Sequence, residues 1–167
     1  MHVNFLAILA ATLVPMVLGF IWYNPKIGFG RAWMLSSGMT EEKAKKANMP
    51  VVFGLTTLFA FLVASSMQAV VIHMSGVASI LTMQPDFKEA GSYSSTLYNN
   101  IVEHYGTSFR TFKHGFFHGI LAGIGFAVPL IGTTAIFEGK GFKYIAINAG
   151  FWIVSMAFMG GIICASL

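Results

Sequence analysis

Charge is what this sequence has least of. Asp, Glu, Lys and Arg make up 10% of its 167 residues, against roughly 25% in a typical soluble domain, which is too few to cover a globule in water. Cysteine is almost absent, and the single Cys164 excludes an intrachain disulfide. The chain has no phosphate-binding glycine loop, no paired buried carboxylates, and no Ser or Cys with a basic partner at a recognisable spacing. The common enzyme signatures are therefore missing, and the expectation is a protein that is not an enzyme. The ten methionines stand mostly singly, without the dense cluster of a copper carrier, and are read as packing residues. Ten Lys and Arg against six acids are not gathered on one aromatic-rich face, so nucleic acid is not an expected partner.

What fills the sequence instead is apolar residues, 56% of the total, in uninterrupted blocks and not at the spacing of a half-buried soluble helix. About 20 apolar residues at 1.5 Å rise cross the roughly 30 Å hydrocarbon core. Four blocks meet that length, approximately Val3–Tyr23, Val51–His73, Gly115–Phe137 and Tyr144–Ser166, and none contains Asp, Glu, Lys or Arg. One charge at a helix centre costs about 2.5 to 3.5 kcal/mol, enough to cancel five or more apolar residues at about 0.3 to 0.6 each. The composition thus predicts an all-α integral membrane four-helix bundle, one domain over residues 1–167, with the lipid bilayer as its surroundings.

The end of the first block shows how a span meets water. In Gly19-Phe-Ile-Trp-Tyr-Asn-Pro-Lys26, the amphipathic rings of Trp22 and Tyr23 belong at headgroup level, Pro25 disfavours helix at Asn24, and Lys26 is solvated. Phe29, Trp33, Met34 and Leu35, interleaved with Gly30 and Arg31 and closed by Gly38, predict a short segment lying in the interface. Thr40 then N-caps a two-turn helix with acids in its first turn and lysines in its last, and those lysines are placed to touch anionic headgroups. Pro50 opens the second span.

Counting Lys and Arg orients the bundle. Lys26, Arg31, Lys43, Lys45, Lys46, Lys140 and Lys143 follow the first and third spans, whereas Lys88, Arg110 and Lys113 lie on the other side. Seven against three predicts the first and third connections in the cytoplasm and both termini outside. No Lys or Arg precedes the first block, which is also longer than a signal-peptide core, so it is expected to stay in the mature protein.

The extracytoplasmic connection, about residues 74–113, is the longest. Gly76–Met83 is apolar and either prolongs the second helix or dips back into the bilayer. Leu97, Ile101, Tyr105, Phe109, Phe112 and Phe116 then recur every three to four residues and predict one amphipathic surface helix running into the third span, as a packing cap or a substrate lid. Pro15 and Pro129 predict kinks inside the first and third spans. Gly115, Gly119 and Gly123 form a small-xxx-small stripe in the third span, matched by Ala157, Gly161 and Ala165 in the fourth. Such stripes let helices approach in lipid, within one chain or in a homo-oligomer.

Chemistry is concentrated in histidine. All five histidines, His2, His73, His104, His114 and His118, fall on the outer side by this topology. His114 and His118, four residues apart, project from one helical face as paired zinc ligands do, with His73, Glu103 or His104 available to complete the shell. Imidazole suits zinc or copper. The same pair would serve to sense pH or to hydrogen-bond headgroups and water. Asn4, Gln68 and Asn148, with Glu138 near Lys140 and Lys143, are the other polar groups in or beside the spans. They do not form the polar path of a transporter, unless an oligomer builds one on its axis.

The block Gly19–Lys26, followed by Phe29-Gly-Arg-Ala-Trp-Met34 and Gly38-Met-Thr40, with Glu138, Asn148-Ala-Gly-Phe-Trp152 and Met159-Gly160 later on, resembles the domain-of-unknown-function 1761 family, small and mainly bacterial four-span membrane proteins. The resemblance implies the fold and a location in a bacterial inner (cytoplasmic) membrane. It lends no activity, and it marks Gly19, Trp22, Tyr23, Pro25, Gly30, Trp33 and Glu138 as the positions that matter. The leading expectation is a non-enzymatic helical bundle, self-associating, that acts as an interaction or small-solute permeation unit without an identifiable small-molecule ligand. The alternative is an outward-facing zinc or copper site on His114 and His118, with His73.

Overall fold

The computed structural model describes residues 4–166; His2 and Val3, ahead of the first helix, lie outside them. Among the described residues all regular structure is helical. Helix α1 (Phe5–Trp22) starts where the Asn4 side chain accepts from the Ala7 N–H at 3.1 Å. Helix α2 (Gly30–Ser37) ends on Gly38 in the left-handed region, φ 75°. The Thr40 hydroxyl caps α3 (Glu41–Lys45) by accepting from the Lys43 N–H, and the Asn48 side chain caps α4 (Met49–Val71) in the same way from Val51. Helices α5 (Met74–Leu81) and α6 (Tyr93–Tyr105) follow outside the span. The chain re-enters as α7 (Phe112–Ala122), passes through a π-helical turn (Gly123–Ala127) into α8 (Val128–Phe137), and returns as α9 (Phe142–Ala165).

Four segments are long and apolar enough to cross a bilayer: Phe5–Trp22, Met49–Val71, Phe112–Phe137 and Phe142–Ala165. The protein is thus an all-α, multi-pass membrane bundle. The π turn has a local cause. Pro129 has no N–H to return to the preceding turn, and the Val128 N–H reaches back to the Gly123 carbonyl, so the helix widens by one residue and then resumes.

Helix α9 is the centre of the bundle. Its span is 61% buried, against at most 28% for the others, and it packs on α1, α4, α7 and α8. The contact with α7 is the closest. A Cβ at Gly115 would lie 2.1 Å from the Gly160 carbonyl oxygen, one at Gly119 2.1 Å from that of Met156, and one at Gly123 2.6 Å from Ile153 Cα. The glycine stripe of the third span is therefore used inside the chain. Its counterpart differs in detail from the expected stripe: Ala157 is buried at the Gly119 contact, Gly161 faces the Phe112 ring, and Gly160, absent from the expected set, opposes Gly115. The dry core, with Ile8, Ala11, Ala64, Met67, Val71, Met159 and Ile163 among its members, fills the half of the bundle where α1 and α7 begin and α4 and α9 end.

The long connection between the second and third spans differs from the single continuous helix that its apolar stripe predicts. Helix α6 stops at Tyr105, and α7 starts afresh because the Thr111 hydroxyl accepts from the His114 N–H at 3.2 Å. Between them Phe109 takes a left-handed φ of 62°, the one non-glycine residue to do so among the described residues. A 3.6-residue apolar period does not register such a break, because the turn at Phe109 and the threonine cap interrupt the backbone without disturbing the spacing of the large side chains. Helix α5 is likewise separate from α4, divided from it by extended backbone at Ile72 (φ −112°, ψ 100°). Ile101 of α6 and Val77 of α5 pack against the core, and Tyr98 is buried beneath the Phe87 ring.

Asp86 ties the turn before α6 to that helix, its carboxylate accepting from the Ser94 N–H at 3.2 Å in the first turn. Hydrogen bonds from the Ser94 side chain and backbone hold this carboxyl below its ordinary range. A depressed folded-state value means that the contribution is present above the unfolded value and is lost as pH falls through the folded one. Relative to its intrinsic rate, amide exchange at the start of α6 should therefore accelerate below about pH 4. An Asp86→Asn variant should show the faster exchange already at neutral pH.

Candidate metal centre

Three histidines meet at the core-packed end of the bundle. His73 stands at the break between α4 and α5, where the Ser75 N–H donates to the Ile72 carbonyl and the Ser75 hydroxyl donates to that of Gln68. His114 and His118 follow one another on the first turns of α7. Two features bring these elements together. Glycines at 115 and 119 let α7 lie against α9, and the buried Cys164 thiol on α9 donates toward the carbonyls of Val71, at 3.3 Å, and Phe109, at 3.4 Å. The end of α4 and the loop before α7 are thus fastened to one point, with His73 two residues beyond it. Arg110 completes the fastening by donating to the carbonyls of Cys164 and Ser166 at the C-terminus of α9, where a cation is favoured.

In this arrangement the ligand nitrogens of His73, His114 and His118 lie within 4.8 Å of one another. His73 and His114 already share a hydrogen bond between their Nε2 atoms at 2.9 Å. One of the two must carry the proton there, and a bound metal ion would displace it. Tetrahedral zinc with bonds of 2.0–2.1 Å separates its nitrogen ligands by about 3.3 Å. The His73–His114 separation is 2.9 Å and none of the three exceeds 4.8 Å, so the nitrogens stand close to the spacing that such an ion needs. His73 is exposed and the other two are half-buried, which leaves the fourth position open toward the outside of the cluster. The Phe109 ring covers one side, stacked on His114 at 5.3 Å and edge-on to His73 at 6.0 Å. His104 stays apart: its Nδ1 faces the Asn100 carbonyl of its own helix at 2.8 Å.

The residues singled out by family resemblance gather at the opposite end. The Trp22 indole N–H donates to the Ile147 carbonyl at 3.0 Å, and the Tyr23 hydroxyl donates to Asn148 Oδ1 at 3.0 Å. Trp33 and Phe151 pack on the Tyr23 ring. Gly30 is buried, and a Cβ there would lie 2.2 Å from the Tyr23 carbonyl oxygen, so only glycine lets α2 fold back beneath the end of α1. Gly19 faces the Phe151 ring, with room for a Cβ at 3.9 Å. Pro25 lies in the exposed turn that ends α1. Glu138 is the C-cap of α8 and is exposed, while the neighbouring Lys140 ammonium donates across to the Ser37 carbonyl. These positions join α1, α2 and α9. A Tyr23→Phe variant, which strands the Asn148 oxygen, should lose about 1 kcal/mol in a thermal melt.

Neither Cys164 nor Phe109 stands out in the sequence as part of the histidine cluster. Thr111, three residues before His114, is the one local sign that a helix begins there. Residues 6–164 match the family described as a protein of unknown function, DUF1761. No curated protein and no solved structure matches the chain.

Proposed function

The chain belongs to the DUF1761 family, and from that premise we propose that it is a non-enzymatic membrane protein that binds a zinc or copper ion through His73, His114 and His118. The observation that carries the reading is the convergence of three imidazoles from two separate helical segments, with ligand atoms within 4.8 Å. Imidazole nitrogens suit both metals. Lys and Arg asymmetry supports an orientation with the histidine end, and with it both termini, on the outer side of the cytoplasmic membrane. Self-associating permeation has less support, because the Gly115, Gly119 and Gly123 stripe is occupied within the chain.

Metal analysis of detergent-purified protein after equilibration with zinc or copper tests the reading. The expected result is about one ion per chain, lost when His114 and His118 are both changed to alanine. Unchanged stoichiometry in that variant would remove it.

A further inference from the structure

The motif end of the bundle carries a cavity of about 460 Å³, open on one side, lined by Gly19, Tyr23, Trp33, Met49, Thr56 and Asn148 among others. That volume lies within the range of small-molecule sites, about 300–1,000 Å³. Its polar groups are already satisfied: Tyr23 donates to Asn148, the Asn148 amide donates to the Tyr144 carbonyl, and the Thr56 hydroxyl donates to the Val52 carbonyl. No unmet hydrogen bond in this set calls for a polar occupant. The remaining wall is aliphatic and aromatic, set between spans where hydrocarbon chains are the surroundings.

Charge at this end specifies the occupant further. Seven Lys and Arg and three Glu belong to the connections here, whereas the opposite end carries three basic and three acidic side chains. The whole formal charge of +4 therefore belongs to the connections at this end. Two of the ammonium groups converge on adjacent carbonyls at the end of α2, the helix that brings Trp33 into the wall: Lys140 donates to the Ser37 oxygen at 2.6 Å and Lys43 to the Gly38 oxygen at 3.3 Å. The carbonyls fix the two cations side by side but do not neutralise them.

We propose that this cavity binds one acyl chain of an anionic phospholipid whose phosphate is held by Lys43 and Lys140. The site is independent of the histidine cluster. It gives the motif residues Gly19, Tyr23 and Trp33 a binding role in addition to their structural one, and Gly19 keeps the cavity open by having no side chain.

The test is native mass spectrometry of the full chain in detergent, titrated in parallel with phosphatidylglycerol and phosphatidylcholine. Each basic contact contributes about fivefold, so the wild type should retain phosphatidylglycerol about 25-fold better. K43Q/K140Q, whose changes lie outside the spans, should bring the two lipids to parity while still retaining a chain. G19L, which fills the cavity, should lower retention of both. Equal retention of the two lipids by the wild type, or an undiminished preference in K43Q/K140Q, would overturn the proposal whether or not G19L folds.

Discussion

Gly119→Leu should abolish the folded bundle. The Cβ it adds would lie 2.1 Å from the Met156 carbonyl oxygen and 2.6 Å from Ala157 Cα. Both obstacles are backbone of the central helix and cannot rotate aside. Relief requires α7 and α9 to move apart by more than 1 Å, which disrupts the closest helix contact in the protein. Overfilling a core by a methylene or so costs about 1–3 kcal/mol, and a leucine against backbone costs more, a large part of a total stability of about 5–15 kcal/mol. Loss of the monodisperse peak in size-exclusion chromatography and of the cooperative thermal transition would report it. Gly54→Ala is the matched control. Nothing lies within 4 Å of its added Cβ, so that variant should melt at or slightly above the wild type, because alanine is the better helix former by about 0.5–1 kcal/mol. A Gly119→Leu protein that melts like the wild type would show that α7 and α9 are not packed as described.

Zinc should raise the thermal midpoint of the wild type and leave a His73→Ala variant almost unmoved. A ligand that binds only the folded state stabilises it by about 2.7 kcal/mol at a free concentration one hundred times its Kd. For a chain of this length that is a shift of about 5 to 10 °C. The site draws ligands from the start of α5 and from α7, so the ion bridges segments that only the folded chain brings together. Removing one of three imidazoles and weakening the site by about 100-fold leaves about 0.4 kcal/mol at the same zinc concentration. His73 is exposed, so the metal-free variant should melt close to the metal-free wild type, which separates a lost ligand from a damaged fold. An equal zinc-induced shift in the variant would exclude His73 from the site.

All three histidines of the candidate site are named from the sequence, but only one pair has its geometry legible there. His114 and His118 share a face because four residues make about one helical turn, a relation that needs no tertiary information. His73 is 41 residues from its hydrogen-bonding partner His114. Its approach depends on the break after α4 and on Cys164 bonding toward the Val71 and Phe109 carbonyls. The sequence marks Cys164 only as a lone cysteine, uninformative by count, yet its position at the α4, α7 and α9 junction helps set the geometry of the site. The amphipathic stripe from Leu97 to Phe116 shows the opposite failure. Its period continues through a left-handed Phe109, because side-chain spacing alone does not reveal where a backbone reverses.

The sequence by itself determined the solvent and the local architecture. Four uncharged blocks require hydrocarbon around them, and Thr40 and Gly38 begin or end helices through a hydrogen bond or a dihedral angle formed within a few residues. Tertiary structure alone decided which faces meet: Gly160 against Gly115, His73 beside His114, and the cavity between Tyr23 and Thr56. The reason lies in the bilayer. A helix that is apolar all round has no polar face to turn outward, so hydrophobic periodicity does not mark its buried side. The choice is left to close backbone approach and a few hydrogen bonds between residues far apart in the chain.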